Sequence, residues 1–419
     1  MFMGLVDTIM VGPLGPAAIA ATGMGSVVFS AIAMFGMGLL LGLDTFVSRA
    51  YGANDRRECR QWLHQGVWLA CALAPPTMAL TGLVLVTIDW WGLHPEIRVL
   101  VGPYLRVTSA GALPLLLYAA ARRYLQGVHV VRPIAFALVS ANVVNAVANW
   151  ALVYGHLGLP ALGVEGSAWA TNASRLYMTA LLFLAIRVEP RTGNDATPVP
   201  RGVDLVRIRQ LLRLGLPAAS QITLEVGVFA AATGLAGRLD PVSAGSHQIA
   251  LNLVSLAFMV PLGLSSAAAV RVGFRLGAGH AGRAALAGWT ALAGGAVAML
   301  GIGLVFLFLS APLIRVFTAD PRIIDTGVGL LVIAAAVSLF DGTQVVATGA
   351  LRGLGETRIP MFVNVFGHWV FGLPVGYALC FRFGWGVSGL WVGLSLGLTI
   401  TAVLLTVVWW KKAGLVDAL

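Results

Sequence analysis

Charge is scarce in this chain. Of 419 residues, only 11% are Asp, Glu, Lys or Arg, where a soluble domain of this size carries roughly a quarter. That is too little to cover a water-facing surface. Lysine is nearly missing: Lys411 and Lys412 are the only two, and the other 25 basic residues are Arg. The three cysteines, Cys59, Cys71 and Cys380, form no CxxC pair, so neither a disulfide framework nor a metal site is expected. No GxxxxGK[ST] stretch is present, which argues against ATP hydrolysis at a P-loop; Gly353-Leu-Gly-Glu-Thr-Arg reads only as a short basic turn. HExxH and a TVGYG filter are also missing, and the one GxSxG match, Gly393-Leu-Ser-Leu-Gly, lies inside an apolar run rather than at a nucleophile elbow, which removes the usual metalloprotease, hydrolase and K⁺-channel readings. Nothing basic precedes the first apolar stretch, so no cleavable signal peptide is visible.

Long apolar runs are what the chain has instead. Hydrophobic residues make up 58% of it, with a mean hydropathy of +0.87, and they fall in uncharged blocks. About 20 apolar residues cross a bilayer as a helix. The blocks predict twelve spans near 1–12 (partial), 20–48, 61–88, 98–121, 133–155, 164–187, 207–236, 244–270, 284–310, 324–350, 359–381 and 386–410. A membrane barrel is disfavoured, because its strands alternate apolar and polar residues over segments of about ten. The fold class expected is therefore an all-α polytopic membrane protein. Many of the 51 glycines suit close helix approach, with Gly36, Gly38 and Gly42 as one such face.

The net charge of +10 is distributed by loop. Twenty of the 27 basic residues lie in alternate connections near 49–60, 122–132, 187–213, 271–283 and 352–358, and at Lys411 and Lys412. The positive-inside rule makes that side cytoplasmic and places both termini there. The basic balance is thus a topology signal rather than a nucleic-acid footprint, and a multi-pass protein of the inner (plasma) membrane is expected.

The chain also repeats itself. Gly12-Pro-Leu-Gly-Pro matches Gly237-Arg-Leu-Asp-Pro, and Tyr51-Gly-Ala matches Leu276-Gly-Ala, both at an offset of 225. Pro133 matches Pro360 at 227, and Gly163-Val-Glu-Gly matches Gly386-Val-Ser-Gly at 223. Ordered matches at a nearly constant offset predict two six-helix bundles related by a pseudo-two-fold axis along the membrane normal, with the substrate site between them. The expected lobes are 1–187 and 207–411, joined by a cytoplasmic linker at 188–206 rich in Pro and charge, with a short cytoplasmic tail at 412–419. A monomer suffices, since both halves lie in one chain. The repeat also leads to the expectation that roughly 20 to 25 residues precede Met1, because the partner of Arg207 falls about 18 positions before it. Pro217 is expected to kink the seventh span.

Carboxylates inside spans are costly and usually functional. Asp7, Glu225 and Asp341 lie well inside the first, seventh and tenth spans, and Asp44 lies nearer an end. Such a group binds Na⁺, takes a proton, or attracts a cationic substrate; the structural alternative, favoured for Asp44, is a hydrogen bond to a neighbouring helix. Asn142, Asn145 and Asn149 share the fifth span, with Asn145 and Asn149 on one face; they either ligate or glue helices. Arg175 is the one basic residue placed inside a span, where it pairs with a carboxylate or snorkels. His247 and His368 titrate near neutrality in water, but a lone span histidine is more often a satisfied polar contact. Trp90-Trp91 and Trp409-Trp410 are expected at the interfaces.

Taken in order, several stretches resemble the multidrug and toxic compound extrusion (MATE) transporters. They are Val6-Asp-Thr-Ile-Met-Val-Gly-Pro-Leu-Gly, Phe35-Gly-Met-Gly, Tyr51-Gly-Ala, Pro261-Leu-Gly-Leu-Ser, Arg271-Val-Gly, Asp341-Gly-Thr-Gln-Val-Val and Leu351-Arg-Gly. The resemblance, closest to the NorM-like branch, runs from Met1 to about residue 410. It implies a two-lobed, V-shaped, non-enzymatic antiporter that exports cationic lipophilic compounds against Na⁺ or H⁺ and needs no cofactor. It implies coupling carboxylates at Asp7, Glu225 and Asp341, with Na⁺ able to sit at Glu225 and Asp341. Asn149 stands where some members carry an acid, which leaves Asp7 with Asn145, Asn149 and Thr171 as polar company. The competing reading within the superfamily is a lipid-linked precursor flippase, which wants a basic cavity where this chain offers only Arg175. A membrane-embedded lipid enzyme lacks its His/Asp/Arg cluster, and a receptor has no use for buried acids in both halves.

Overall fold

The computed structural model describes residues 2–91, 93–188, 200 and 202–417. Sixteen α-helices account for most of them, and no strand occurs among the described residues. The helices are α1 (Phe2–Val11), α2 (Pro16–Leu39), α3 (Gly42–Gly52), α4 (Arg56–Thr87), α5 (Pro95–Ala110), α6 (Ala112–Gly127), α7 (Arg132–Tyr154) and α8 (Gly163–Val188). They continue as α9 (Leu205–Ala236), α10 (Pro241–Ala257), α11 (Met259–Gly277), α12 (Ala281–Arg315), α13 (Pro321–Gly353), α14 (Arg358–Asn364), α15 (Leu373–Tyr377) and α16 (Gly386–Asp417). The chain divides into two compact units: Met1–Val47 with Asp55–Gly215, and Ser48–Asn54 with Leu216–Leu419.

Helix starts follow local chemistry. Asp55, Asp240 and Asp320 cap α4, α10 and α13, each accepting backbone N–H bonds. Proline fills the first turn of α10 and α13, where its missing N–H is not needed. Hydrogen bonds from the Ser243 hydroxyl and backbone hold the Asp240 carboxyl below its ordinary value of 3.8.

In the first unit, a core of Val11, Phe29, Tyr104, Leu105, Ala112 and Ala168 ties α1, α2, α5, α6 and α8 together. Small residues set the spacing: a Cβ on Gly166 of α8 would lie 2.5 Å from the Leu152 carbonyl oxygen of α7. One on Gly36 would meet Leu116 at 3.1 Å. The N-terminal turns of α9 also belong to this unit. Arg207 reaches the Glu58 carboxylate and lies over the Trp62 ring at 4.9 Å, while the Gln65 amide bonds Gly202 O and Asp204 N, both at 2.9 Å.

In the second unit, α12 and α13 pack through Gly295, Gly303 and Gly342, each with a neighbour where a Cβ would stand. Val365–Gly372 and Ala378–Arg382, on either side of α15, widen to i→i+5 turns. There Gly393 and Gly397 of α16 sit directly against Gly376 and Gly367, so backbone rather than side chain fills the contact.

The duplication is written in the backbone. Asn54 and Gly279 (offset 225), His129 and Gly355 (226), and Gly163 and Gly386 (223) all have φ between 56° and 79°. The first two pairs close helices in the left-handed conformation and the third opens them. One contact inside the second unit shows the same relation: a Cβ on Gly52 would lie 2.0 Å from Phe274 O, and one on Gly277 would lie 1.9 Å from Arg49 O. The residues involved are again 225 apart.

Among the described residues, nine helical segments are long and apolar enough to cross a bilayer, and a tenth forms if α5 and α6 count as one span bent by 43°. Ten is fewer than the twelve spans expected, for two physical reasons. Helix α1 is short, and α8, though 26 residues long, carries Thr171, Asn172, Ser174 and Arg175 in one stretch. Other expectations shift too. Span 20–48 breaks at Leu40–Leu41 into α2 and α3, in the Gly-rich stretch. Cys59, expected in a loop, is buried in the first turn of α4. Trp409 is fully buried, in the gap left by Gly288, while Trp90, Trp91 and Trp410 are exposed. Of the expected linker, 189–199 and 201 lie outside the described residues.

Candidate ion and substrate sites

Asp7 sits on α1 with only 4% of its surface exposed. Its Oδ1 accepts hydrogen bonds from Asn145 Nδ2 at 3.0 Å and Asn149 Nδ2 at 2.8 Å, and its Oδ2 accepts one from Thr171 Oγ1 at 2.7 Å. The spacing expected from sequence does this work: residues four apart on α7 present both amides to one carboxylate, and Thr171 arrives from α8. Tyr154 Oη donates to Met10 O and holds α1 against α7. The oxygens Asn145 Oδ1 and Asn149 Oδ1 are buried without a hydrogen-bond partner. Asn142 does not join, because its amide bonds Leu138 O within its own helix at 2.6 Å.

Arg175 lies one helical turn beyond Thr171 on α8. Among the described residues no carboxylate pairs with it directly; its electrostatic partners are Tyr104 and Asp7. Its Nη1 donates to Thr108 O at 3.3 Å and to Asn172 Oδ1 at 3.2 Å, and its guanidinium lies over the Phe29 ring at 4.5 Å. Asn172 Nδ2 in turn donates to Val107 O. These carbonyls close the C-terminal end of α5, where the 43° bend falls, and a cation there also suits the helix dipole. Gly111 at the bend leaves room: a Cβ would lie 1.9 Å from Asn172 Oδ1 and 2.7 Å from Arg175 Nη1.

In the second unit, Glu225 of α9 and Asp341 of α13 form the other acidic cluster. Asp341 is 7% exposed and Glu225 half-buried. Gln344 Nε2 donates to Glu225 Oε1 at 3.2 Å, and Asn364 Nδ2 reaches Oε2 at 3.5 Å. Asp341 lies within the field of the Glu225 charge, and Gln344 follows it three residues along α13. No Lys or Arg is paired with either acid among the described residues. Gln344 Oε1 and Asn364 Oδ1 are buried and without partners. Trp369 Nε1 donates to Leu224 O at 3.0 Å, anchoring α9 beside the acid. Sequence reasoning missed Gln344 and Asn364. The signal was available: Gln344 lies three residues from Asp341 on the same helix face, and Asn364 is a lone amide in an apolar span.

Asp44, His247 and His368, also singled out from the sequence, each have a structural partner. Asp44 is completely buried, with Arg123 Nη1 3.0 Å from its Oδ2. His247 Nδ1 accepts from Trp391 Nε1 at 3.0 Å, because an indole N–H only donates. Its Nε2 therefore carries the proton and meets Thr233 Oγ1 at 2.9 Å, and Thr233 passes its own proton to Phe229 O. That histidine is neutral and satisfied. His368 lies in the wide-turn segment, with Nδ1 on Asn364 O at 3.2 Å and a buried, unpartnered Nε2. Among the described residues no group of three His, Cys, Asp or Glu is arranged to hold a metal.

A polytopic helical membrane protein whose two units each bury carboxylates among neutral amides has the build of a solute transporter rather than an enzyme. The chain belongs to the MatE family, whose family model matches residues 1–151 and again 217–378. The probable multidrug resistance protein NorM of Mesorhizobium japonicum is 36% identical, covering 98% of this chain and 90% of that protein. The NorM of Pseudomonas putida is 35% identical over 97% of this chain and 89% of that protein. Multidrug resistance protein PmpM of Pseudomonas aeruginosa is 33% identical over 97% and 86%. Among solved structures, the eukaryotic MATE transporter AtDTX14 aligns with a TM-score of 0.87 at 23% identity, over 99% of this chain and 93% of that one. A MATE crystallised in the bent conformation aligns with a TM-score of 0.89 at 20% identity, over 99% and 92%.

Proposed function

We propose that this protein exports organic cations and other drug-like compounds across the plasma membrane in exchange for Na⁺ or H⁺. The observation that carries the reading is the pair of acidic clusters, one in each unit, in which Asp7, Glu225 and Asp341 meet neutral amides and hydroxyls. The relatives named for multidrug resistance point the same way.

The mechanism follows from differential binding, since a ligand shifts an equilibrium only by its preference for one state. With the carboxylates ionised, an organic cation is attracted from the inside. Entry of the coupling ion neutralises a carboxylate, weakens that attraction, and favours release outward. The membrane potential adds about 2.3 kcal/mol per charge per 100 mV to the entering ion. The two clusters differ in charge. Glu225 and Asp341 supply two negative charges, and the oxygens of Gln344 and Asn364 are unclaimed; hard cations prefer such oxygen ligands, so Na⁺ fits there. Asp7 supplies one charge and has Arg175 as an electrostatic neighbour, which makes it the weaker cation site of the two.

Ethidium efflux from everted vesicles with imposed Na⁺ or H⁺ gradients tests this. One gradient accelerates efflux and names the ion, and Asp7→Asn or Glu225→Gln abolishes the acceleration while protein remains in the membrane. Wild-type acceleration in both variants refutes the scheme; no response to either gradient moves the reading to a lipid-linked substrate.

A further inference from the structure

Arg175 is an unusual residue to keep inside the spans of a protein that carries cations. A buried charge is retained only where it is held and has a task. The holding is clear: Phe29 beneath the guanidinium, Thr108 O and Asn172 Oδ1 on Nη1, and a helix bend whose glycine makes the room. All of these partners are neutral, so the full positive charge persists. It sits one turn from Thr171, which touches Asp7. Two charges therefore share one corner of the first unit, and only one of them changes during transport.

We propose that Arg175 is a positioning charge that sets how loosely the cationic cargo is held, and hence how readily it leaves. The proposal rests on reading Asp7 as a coupling carboxylate. With Asp7 ionised, the Asp7–Arg175 corner is neutral overall; once Asp7 is loaded, the corner carries one positive charge. Without Arg175 the corner would pass from negative to neutral, and loading would only remove an attraction. The difference between the two states is one charge in either case, so Arg175 adds nothing to the coupling itself. It shifts both states towards weaker cation binding, and in the loaded state that shift becomes outright repulsion. For a cargo about 10 Å away at an effective dielectric constant of about 20, the Coulomb interaction amounts to roughly ten- to twenty-fold in affinity. The same field favours a cargo that carries an anionic group besides its cation.

The test measures binding of the isosteric pair tetraphenylphosphonium and tetraphenylborate to purified protein. Asp7→Asn stands in for the loaded state and binds phosphonium more weakly than wild type. Adding Arg175→Gln tightens phosphonium binding roughly ten- to twenty-fold and weakens borate binding by a similar factor, while adding Arg175→Lys leaves both near the Asp7→Asn values. Arg175→Met keeps the side-chain stem over Phe29 and serves if the Gln variant does not fold. Equal changes for the two ions show that Arg175 merely caps α5, and overturn the proposal with the Asp7 reading intact. An Asp7→Asn variant that binds phosphonium as wild type does overturns the Asp7 reading instead.

Discussion

Replacing Arg123 should cost far more than replacing its partner. Asp44 is completely buried and Arg123 is 18% exposed, with 3.0 Å between Nη1 and Oδ2. At that separation and an effective dielectric constant of about 20, the attraction is about 5 to 6 kcal/mol. The desolvation of two ions is of comparable size, several kcal/mol each, so the pair as a whole contributes little net stability. Removing one partner is another matter. Arg123→Gln takes the cation 3.0 Å away from a completely buried carboxylate, leaving it the field of Arg122, and should destabilise by about 3 to 5 kcal/mol. Asp44→Asn leaves a guanidinium that reaches solvent along its exposed edge, and should cost less, about 1 to 2 kcal/mol. The double variant leaves two neutral amides and should recover most of the Arg123→Gln loss. Unfolding titrations in mixed micelles measure all three. If the single losses simply add in the double variant, the pair is not coupled and this reasoning is wrong. Because Asp44 is assigned a structural task, the double variant should also export ethidium at the wild-type rate per inserted molecule.

Other outcomes follow from particular contacts. Gly277→Ala places a methyl group 1.9 Å from a backbone oxygen that cannot rotate aside; it should destabilise by about 1 to 3 kcal/mol, and Gly52→Ala should match it because the contact is reciprocal. Thermal shifts of the two variants should agree. Thr171→Val removes the donor to Asp7 Oδ2 and should cost about 1 to 3 kcal/mol, whereas Thr171→Ser should restore both stability and ion-driven efflux. Asp240 has a folded value below the ordinary 3.8, so its capping contribution is fully present above that pH and fades as pH falls through the lower folded value. Hydrogen exchange in the first turn of α10 should therefore show the same acceleration by Asp240→Ala at pH 5 and pH 8.

Solvent, helices and duplication were all legible in the order of the residues alone. Low charge and long apolar runs leave a bilayer helix as the main way to satisfy the backbone, and the offset near 225 reappears as paired left-handed residues at Asn54 and Gly279. It also picked out Asp7, Asn145, Asn149, Glu225 and Asp341, because polar groups stand out against an apolar span and a four-residue spacing fixes a shared face. What it left undecided was partnership between distant segments. Gln344 and Asn364 meet Glu225 only because α9, α13 and α14 come together, and Asp44 finds Arg123 across 79 residues. Trp409 read as an interfacial aromatic, yet the missing side chain at Gly288 opened a place for it in the core. Local pattern carries the period and the solvent preference of a helix; the identity of the neighbour depends on shape, and shape exists only once the helices have packed.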